Sequence, residues 1–260
     1  MPEAFYALRD DLIVPSELTR GPWDPGSQHA GPPAALLARA VERLAEAERF
    51  QVGRITCEIL RAVPIAPLRA RAWISRPGRR VQQVSASLHD DQGEVMRATG
   101  WRIRVADVPL PGDLLEADPP PGPDRGEHRD FPPTGQEVGY HTAMEYRFVK
   151  GAFMEPGPAT VWMRMRQPLV EGEQPTPLQR VLTAADSGNG VSATLDWRRY
   201  LFINVDLSVQ LERMPEGVWV CLDSVTLPQP NGLGTADTLL SDERGRIGRA
   251  LQTLLVSERG

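Results

Sequence analysis

The same order of elements runs twice along the chain, and this repetition limits the possible folds more than composition does. In the first half Ala34, Leu37, Ala38, Val41, Leu44 and Ala45 recur at helical spacing, predicting a helix from about 32 to 47. Prolines at its start are compatible, because first-turn amides have no intrahelical partner. Four strand-like segments follow, at about 50–62, 68–76, 79–89 and 94–105, separated by turn residues at Pro64 to Pro67, Pro77-Gly78 and Asp90 to Gly93. In the second half, strands at about 140–150 and 159–167 precede a shorter helix over 177–186, with Thr176 as N-cap and Leu178, Val181, Leu182 and Ala185 on its apolar face. Four strands again follow, at about 199–212, 217–228, 232–241 and 246–257. A helix followed by an antiparallel meander is an α+β pattern, not an alternating parallel one.

The two halves also agree in register. The stretch from Asp90 to Gly100 lies over that from Asp242 to Gln252, with acid, Gly, aliphatic, Arg and Ala falling in step. An internal duplication accounts for both agreements. Gly100 stands where the second copy has Gln252, so the second half is the one expected to carry chemistry. From 107 to 138 the composition turns to proline, glycine and charge without a hydrophobic period, which predicts a semi-extended linker, mobile at its middle. The expected organisation is therefore 1–106, a linker 107–138, and 139–260.

Several function classes have no support. Net charge is −5 with both signs interspersed, so no basic stripe argues for nucleic acid or an anionic membrane surface. With 260 residues, 41% of them hydrophobic, the chain can bury a sizeable core. Its N-terminus lacks a basic stretch followed by an apolar run, and no segment of about 18 apolar residues occurs. Cys57 and Cys221 are far apart and give neither a disulfide framework nor a zinc site, which suits a cytoplasmic protein. His89, His128 and His141 are scattered without ligand spacing, and no GxSxG, P-loop or HExxH pattern is present. The expectation is chemistry without metal or cofactor.

Asp186 stands out at the end of the second helix. A carboxylate in a last helical turn faces the negative end of the macrodipole, a cost of about 0.3–1 kcal/mol at an ordinary surface site. Closing the helix, with Ser187 and Gly188 as turn residues, is the alternative explanation of its position. On the following strand Ile203, Val205, Leu207, Val209 and Leu211 share one face, and Asn204, Asp206, Ser208 and Gln210 the other. On the last strand Gly248, Ala250 and Gln252 share a face of small residues that would let a helix approach and leave Gln252 in the interface. His29 is the histidine beside a helix start. Arg69, Arg71, Arg76, Arg79 and Arg80 form a basic cluster suited to phosphates, or simply a solvated strand face.

These residues carry a resemblance. Arg20-Gly21-Pro22-Trp23 with His29-Ala30-Gly31-Pro32, then Ala185-Asp186-Ser187-Gly188, Phe202 to Leu207 and Gly245 to Thr253, resemble the type II acyl-CoA thioesterase family, in particular its actinobacterial-type members. The similarity covers about 10–105 and 140–256. It implies a double hot-dog fold, two repeats each of a central helix wrapped by a curved antiparallel sheet. It also implies hydrolysis of an acyl-CoA to free acid and CoA. By that resemblance Asp186 is the base, and a strand residue and Gln252 hold the hydrolytic water. Where the family has Thr or Ser this chain places Asn204, which can hydrogen-bond a water but cannot act as a nucleophile. His29 would position substrate, Gly31 would allow close approach of the acyl group, and the turn from His29 to Gly31 would offer an oxyanion donor. Coenzyme A enters only as part of the substrate, and pairing of two chains as a homodimer is an expectation. The altered hydroxyl position leaves a non-catalytic acyl-CoA-binding protein as the alternative, with a hot-dog dehydratase or hydratase behind it.

Overall fold

The computed structural model describes residues 3–111, 119–129 and 131–259. The first half contains β1 (Tyr6–Arg9), β2 (Leu12–Pro15), α1 (Gly31–Glu42), β3 (Phe50–Ile59), β4 (Arg69–Arg76), β5 (Val81–Asp90) and β6 (Gly93–Arg104). The second half contains α2 (Tyr140–Ala143), β7 (Met144–Ala152), β8 (Glu155–Met165), α3 (Pro177–Ala185), α4 (Gly188–Val191), β9 (Tyr200–Asn204), β10 (Asp206–Leu211), β11 (Val220–Pro228), β12 (Leu233–Asp242) and β13 (Gly245–Glu258). β1 and β2 form a separate hairpin. The remaining strands make one antiparallel sheet in the order β4-β5-β6-β3-β10-β13-β12-β11-β8-β7, with β9 added alongside β13. The two halves join where β3 pairs with β10, Ile55 opposite Val209.

The central helices lie side by side and run antiparallel. Gly31, the first residue of α1, meets the last turn of α3 at Thr183, whereas Arg39 and Glu42 near the end of α1 reach the approach to α3 at Glu173, Thr176 and Gln179. Lying between sheet and partner helix, α1 has almost no solvent face, so Ala34, Ala35, Leu36, Leu37, Ala38 and Val41 are all buried. Alanine on most of that surface allows the close approach, and each buried leucine contributes about 1.5–3 kcal/mol. Thr176 caps α3 as expected, with its hydroxyl accepting from the Gln179 amide.

The duplication extends to side chains. Asp90 and Asp242 end β5 and β12, accept from the amides of their hairpin turns, and are bound by Arg61 and Arg213, each just beyond β3 or β10. Gly93 and Gly245 have φ of 128° and 115°, a backbone region that favours glycine.

Three expectations need correction. α1 ends at Glu42 and not near 47, because Glu46 takes a left-handed conformation that turns the chain toward β3. The strand expected over 199–212 is two strands that break at Val205: β9 follows the far part of β13 while β10 inserts between β3 and β13. At the break the Asp206 carboxylate accepts from the Thr253 amide, replacing a ladder bond, and Val205 is exposed, not on the buried face. Residues 112–118 and 130 of the linker lie outside the described residues, but Pro121, Glu127 and Phe131 are tied to the second half. Pro121 accepts from the Trp162 indole, Glu127 bridges Phe148, and Phe131 packs on Phe153. Among the described residues no helix is long and apolar enough to cross a membrane.

Candidate active site

Where α1 begins and α3 ends, two loops and β9 enclose a cleft of about 270 Å3. Its lining includes Gly21, Pro22 and Trp23 from the loop before α1, His29 and Ala30 from the start of that helix, Asp186 and Asn189 after α3, and Asn204 at the end of β9. Asp186 follows the last turn of α3 and is 4% exposed. The antiparallel arrangement sets the N-terminal end of α1 against it, so the positive end of one helix offsets the negative end of the other.

The carboxylate is held from several directions. His29 Nδ1 lies 2.9 Å from Asp186 Oδ2, and Asn204 Nδ2 donates to Oδ1 at 2.8 Å. Gln252 Nε2 donates to the Asp186 carbonyl at 3.1 Å and reaches Oδ1 at 3.5 Å, while Gln252 Oε1 accepts from the Asn189 amide at 3.0 Å. A proton on Nδ1 donated to the Asp186 carboxylate is the tautomer that leaves the lone pair on Nε2. Asn204 Nδ2 also donates to the Asp206 carbonyl, leaving Asn204 Oδ1 to accept from a ligand or water in the cleft.

The residues marked in the sequence occupy different places. Asp186, Asn204 and His29 all line the cleft. Gln252 is buried behind them, its amide shared between the Asp186 carbonyl and the Asn189 N–H. Gly31 is also buried, and a Cβ there would stand 2.4 Å from the Thr183 carbonyl oxygen, so its lack of a side chain serves helix packing and not the acyl group. Pro32 and Pro33 lack amide hydrogens, and Gly31 is buried and does not line the cleft. Of the first-turn amides only that of Ala30, a cleft residue, remains for an oxyanion. None of the five clustered arginines lines the cleft; Arg69 pairs with Asp11, and Arg79 borders a separate cavity with Arg49 and Arg104.

Tyr140 and Asn189 were not marked by sequence pattern. The Tyr140 ring stacks on His29 with centroids 3.7 Å apart and planes 8° from parallel, fixing the imidazole. Its hydroxyl donates to the Thr183 carbonyl at 2.6 Å and lies 2.9 Å from Ser187 Oγ. Burial pushes the phenol up, so it stays a donor. Asn189 Nδ2 donates to the Phe202 carbonyl at 2.9 Å, tying α4 to β9. Gly188, between them, lies so close to β12 and β13 that a Cβ would meet Thr238 Oγ1 at 2.6 Å and Gln252 Oε1 at 3.0 Å. The run Ala185-Asp186-Ser187-Gly188 thus has a packing reason for its glycine and a polar reason for its aspartate.

Two central helices, each lying against one half of a curved antiparallel sheet, define a hot-dog fold protein. The N-terminal domain of acyl-CoA thioesterases matches residues 19–103 and the C-terminal domain matches 116–256, so the chain belongs to the acyl-CoA thioesterase family. Solved structures of similar architecture include a conserved hot-dog protein of unknown function from Alicyclobacillus acidocaldarius, 14% identical over 98% of this chain and 96% of that one, TM-score 0.74. Another is the acyl-CoA thioesterase II TesB2 of Mycobacterium marinum, 16% identical over 90% of this chain and 91% of that one, TM-score 0.64. A search of curated protein sequences returns no match.

Proposed function

We propose that this protein hydrolyses an acyl-CoA thioester to free acid and CoA. The observation that carries this reading is the Asp186 carboxylate on the cleft wall, 2.9 Å from His29 and 2.8 Å from Asn204. In the proposed reaction a water accepted by Asn204 Oδ1 gives a proton to Asp186 as its oxygen attacks the thioester carbonyl. The Ala30 amide stabilises the developing oxyanion, and collapse of the tetrahedral intermediate breaks the C–S bond and releases CoA thiolate. Gln252 acts as a positioning residue, holding the turn after α3. No cofactor is needed, and CoA enters only as the leaving group.

The 2.9 Å contact favours a second assignment of the same reaction. There Asp186 orients His29 through Nδ1, and His29 Nε2 takes the proton from water. Both assignments predict thiol release from acyl-CoA, and a fall of about 10² or more in Asp186→Asn, the size expected for losing a general base or its orienter. Wild-type protein that binds acyl-CoA yet releases no thiol above the Asp186→Asn background would make it an acyl-CoA-binding protein instead.

A further inference from the structure

Beside the catalytic cleft lies a smaller chamber of about 30 Å3, walled by Trp23, Phe131, Tyr140, Tyr146, Phe153 and Trp197. His29, Trp23 and Asn189 line both spaces, so the chamber adjoins the point where Asp186 and His29 meet. The rings are tightly packed: Phe131 and Phe153 centroids are 4.5 Å apart, Tyr146 and Phe153 5.0 Å, and Trp23 stacks on Trp197 at 4.8 Å. That volume holds only a few atoms, since one water needs about 10–15 Å3 measured this way. A long alkyl chain would have to displace several rings together.

The walls are not purely apolar. The Tyr146 hydroxyl belongs to a residue 2% exposed and has no hydrogen-bond partner among the described residues, and neither has Trp197 Nε1. Buried donors are nearly always satisfied. Tyr140, by contrast, spends its hydroxyl on Thr183 and Ser187. Burial pushes the Tyr146 phenol well up, so it stays protonated and able to donate. Two N–H and O–H donors in an aromatic chamber suit an acceptor oxygen. No Lys or Arg lines the chamber, so a neutral oxygen fits better than a carboxylate, which would be buried without a fixed cation.

We infer that the chamber is the acyl subsite, and that it selects a short acyl group of about four carbons bearing a hydroxyl or oxo oxygen, held by Tyr146 and Trp197. This rests on the thioesterase reading for the position of the thioester, with pantetheine in the larger cleft and the acyl tip in the chamber.

The test pairs binding with turnover. Calorimetry would measure hydrolysis-resistant S-butyl-CoA, S-(3-hydroxybutyl)-CoA and S-octyl-CoA against wild type, Tyr146→Phe and Trp197→Phe. Thiol release from the matching thioesters would be followed alongside. The expected result is that the hydroxylated ligand binds about tenfold more tightly than the butyl one, as one hydrogen bond would give. That advantage should be lost in Tyr146→Phe, whose melting temperature should not fall, because the hydroxyl has no structural partner. The octyl ligand should bind more weakly than either. Equal affinities, tighter octyl binding, no binding of any ligand, or an advantage that survives in Tyr146→Phe would each overturn the subsite. Turnover without the preference would overturn the subsite and leave the thioesterase reading standing. The preference without turnover would support the subsite and refute hydrolysis.

Discussion

Asp186 and His29 touch through a single pair of atoms, and variants at the two positions can separate the assignments. If His29 Nε2 is the base, Asp186→Asn and His29→Ala should each lower kcat by about 10² or more, and the double variant little further, because residues acting as a unit are not additive. If Asp186 acts alone, His29→Ala should cost about tenfold or less and its effect should add to that of Asp186→Asn. Steady-state kinetics on the four proteins decides between them. A second expected split lies between Asn204 and Gln252. Asn204→Ala should lower kcat with little change in melting temperature, since water entering the cleft can replace its bonds to Asp186 and Asp206. Gln252→Ala should lower both, because it leaves the buried Asn189 N–H unpaired, a cost of about 1–3 kcal/mol. The position of Asp186 at the helix end was legible from apolar spacing and turn residues. Its partners were not, because nothing local in the sequence brings His29 or Tyr140 to it.

α1 and α3 cross at two ends, and their packing treats the ends differently. At one end Asp186 opens on the cleft. At the other Glu42 accepts from Thr176 Oγ1 at 2.8 Å and from Gln179 Nε2 at 2.9 Å, and so joins the cap of α3. Burial raises the Glu42 carboxyl, partly opposed by those bonds. The first half thus keeps the architecture of a helix-end carboxylate and uses it for capping, consistent with Gly100 standing where the second half has Gln252. Gly31→Ala should destabilise the protein by about 1–3 kcal/mol, because the clash is with the Thr183 backbone and not with a movable side chain. Denaturant unfolding of that variant measures it, and an unchanged midpoint would refute the close-packing role. The broken strand at Val205 was hidden from the sequence, since hydrophobic alternation continues through it. The interruption comes from β13 pairing with two strands along one edge.

Across the whole molecule, Asp90 and Asp242 are related features of the two repeats, and they connect stability to pH. Arg61 and the hairpin amides hold the Asp90 carboxyl below the usual range. At Asp242 burial acts to raise it, but Arg213 and the amides of Glu216 and Arg244 outweigh this and hold it low. A carboxyl depressed in the folded state contributes stability above its unfolded value, near 3.8, that is lost as pH falls through the folded one. Arg213→Met should therefore cost about 2–3 kcal/mol near pH 6, and its deficit relative to wild type should shrink below about pH 4. Denaturant melts at pH 6 and pH 3 measure the difference, and a constant deficit would refute the linkage. The duplicated order of elements, the ends of α3, its Thr176 cap and the hairpin glycines were determined by the sequence alone, because periodicity and turn chemistry act over a few residues. Only the tertiary structure decided that two antiparallel helices bring His29 to Asp186, that Gln252 lies behind the cleft, and that the linker's Phe131 joins Tyr146 and Trp197 around a chamber. Those contacts join residues far apart in the chain, and the packing of α1 on α3 together with the pairing of the strands sets their distance.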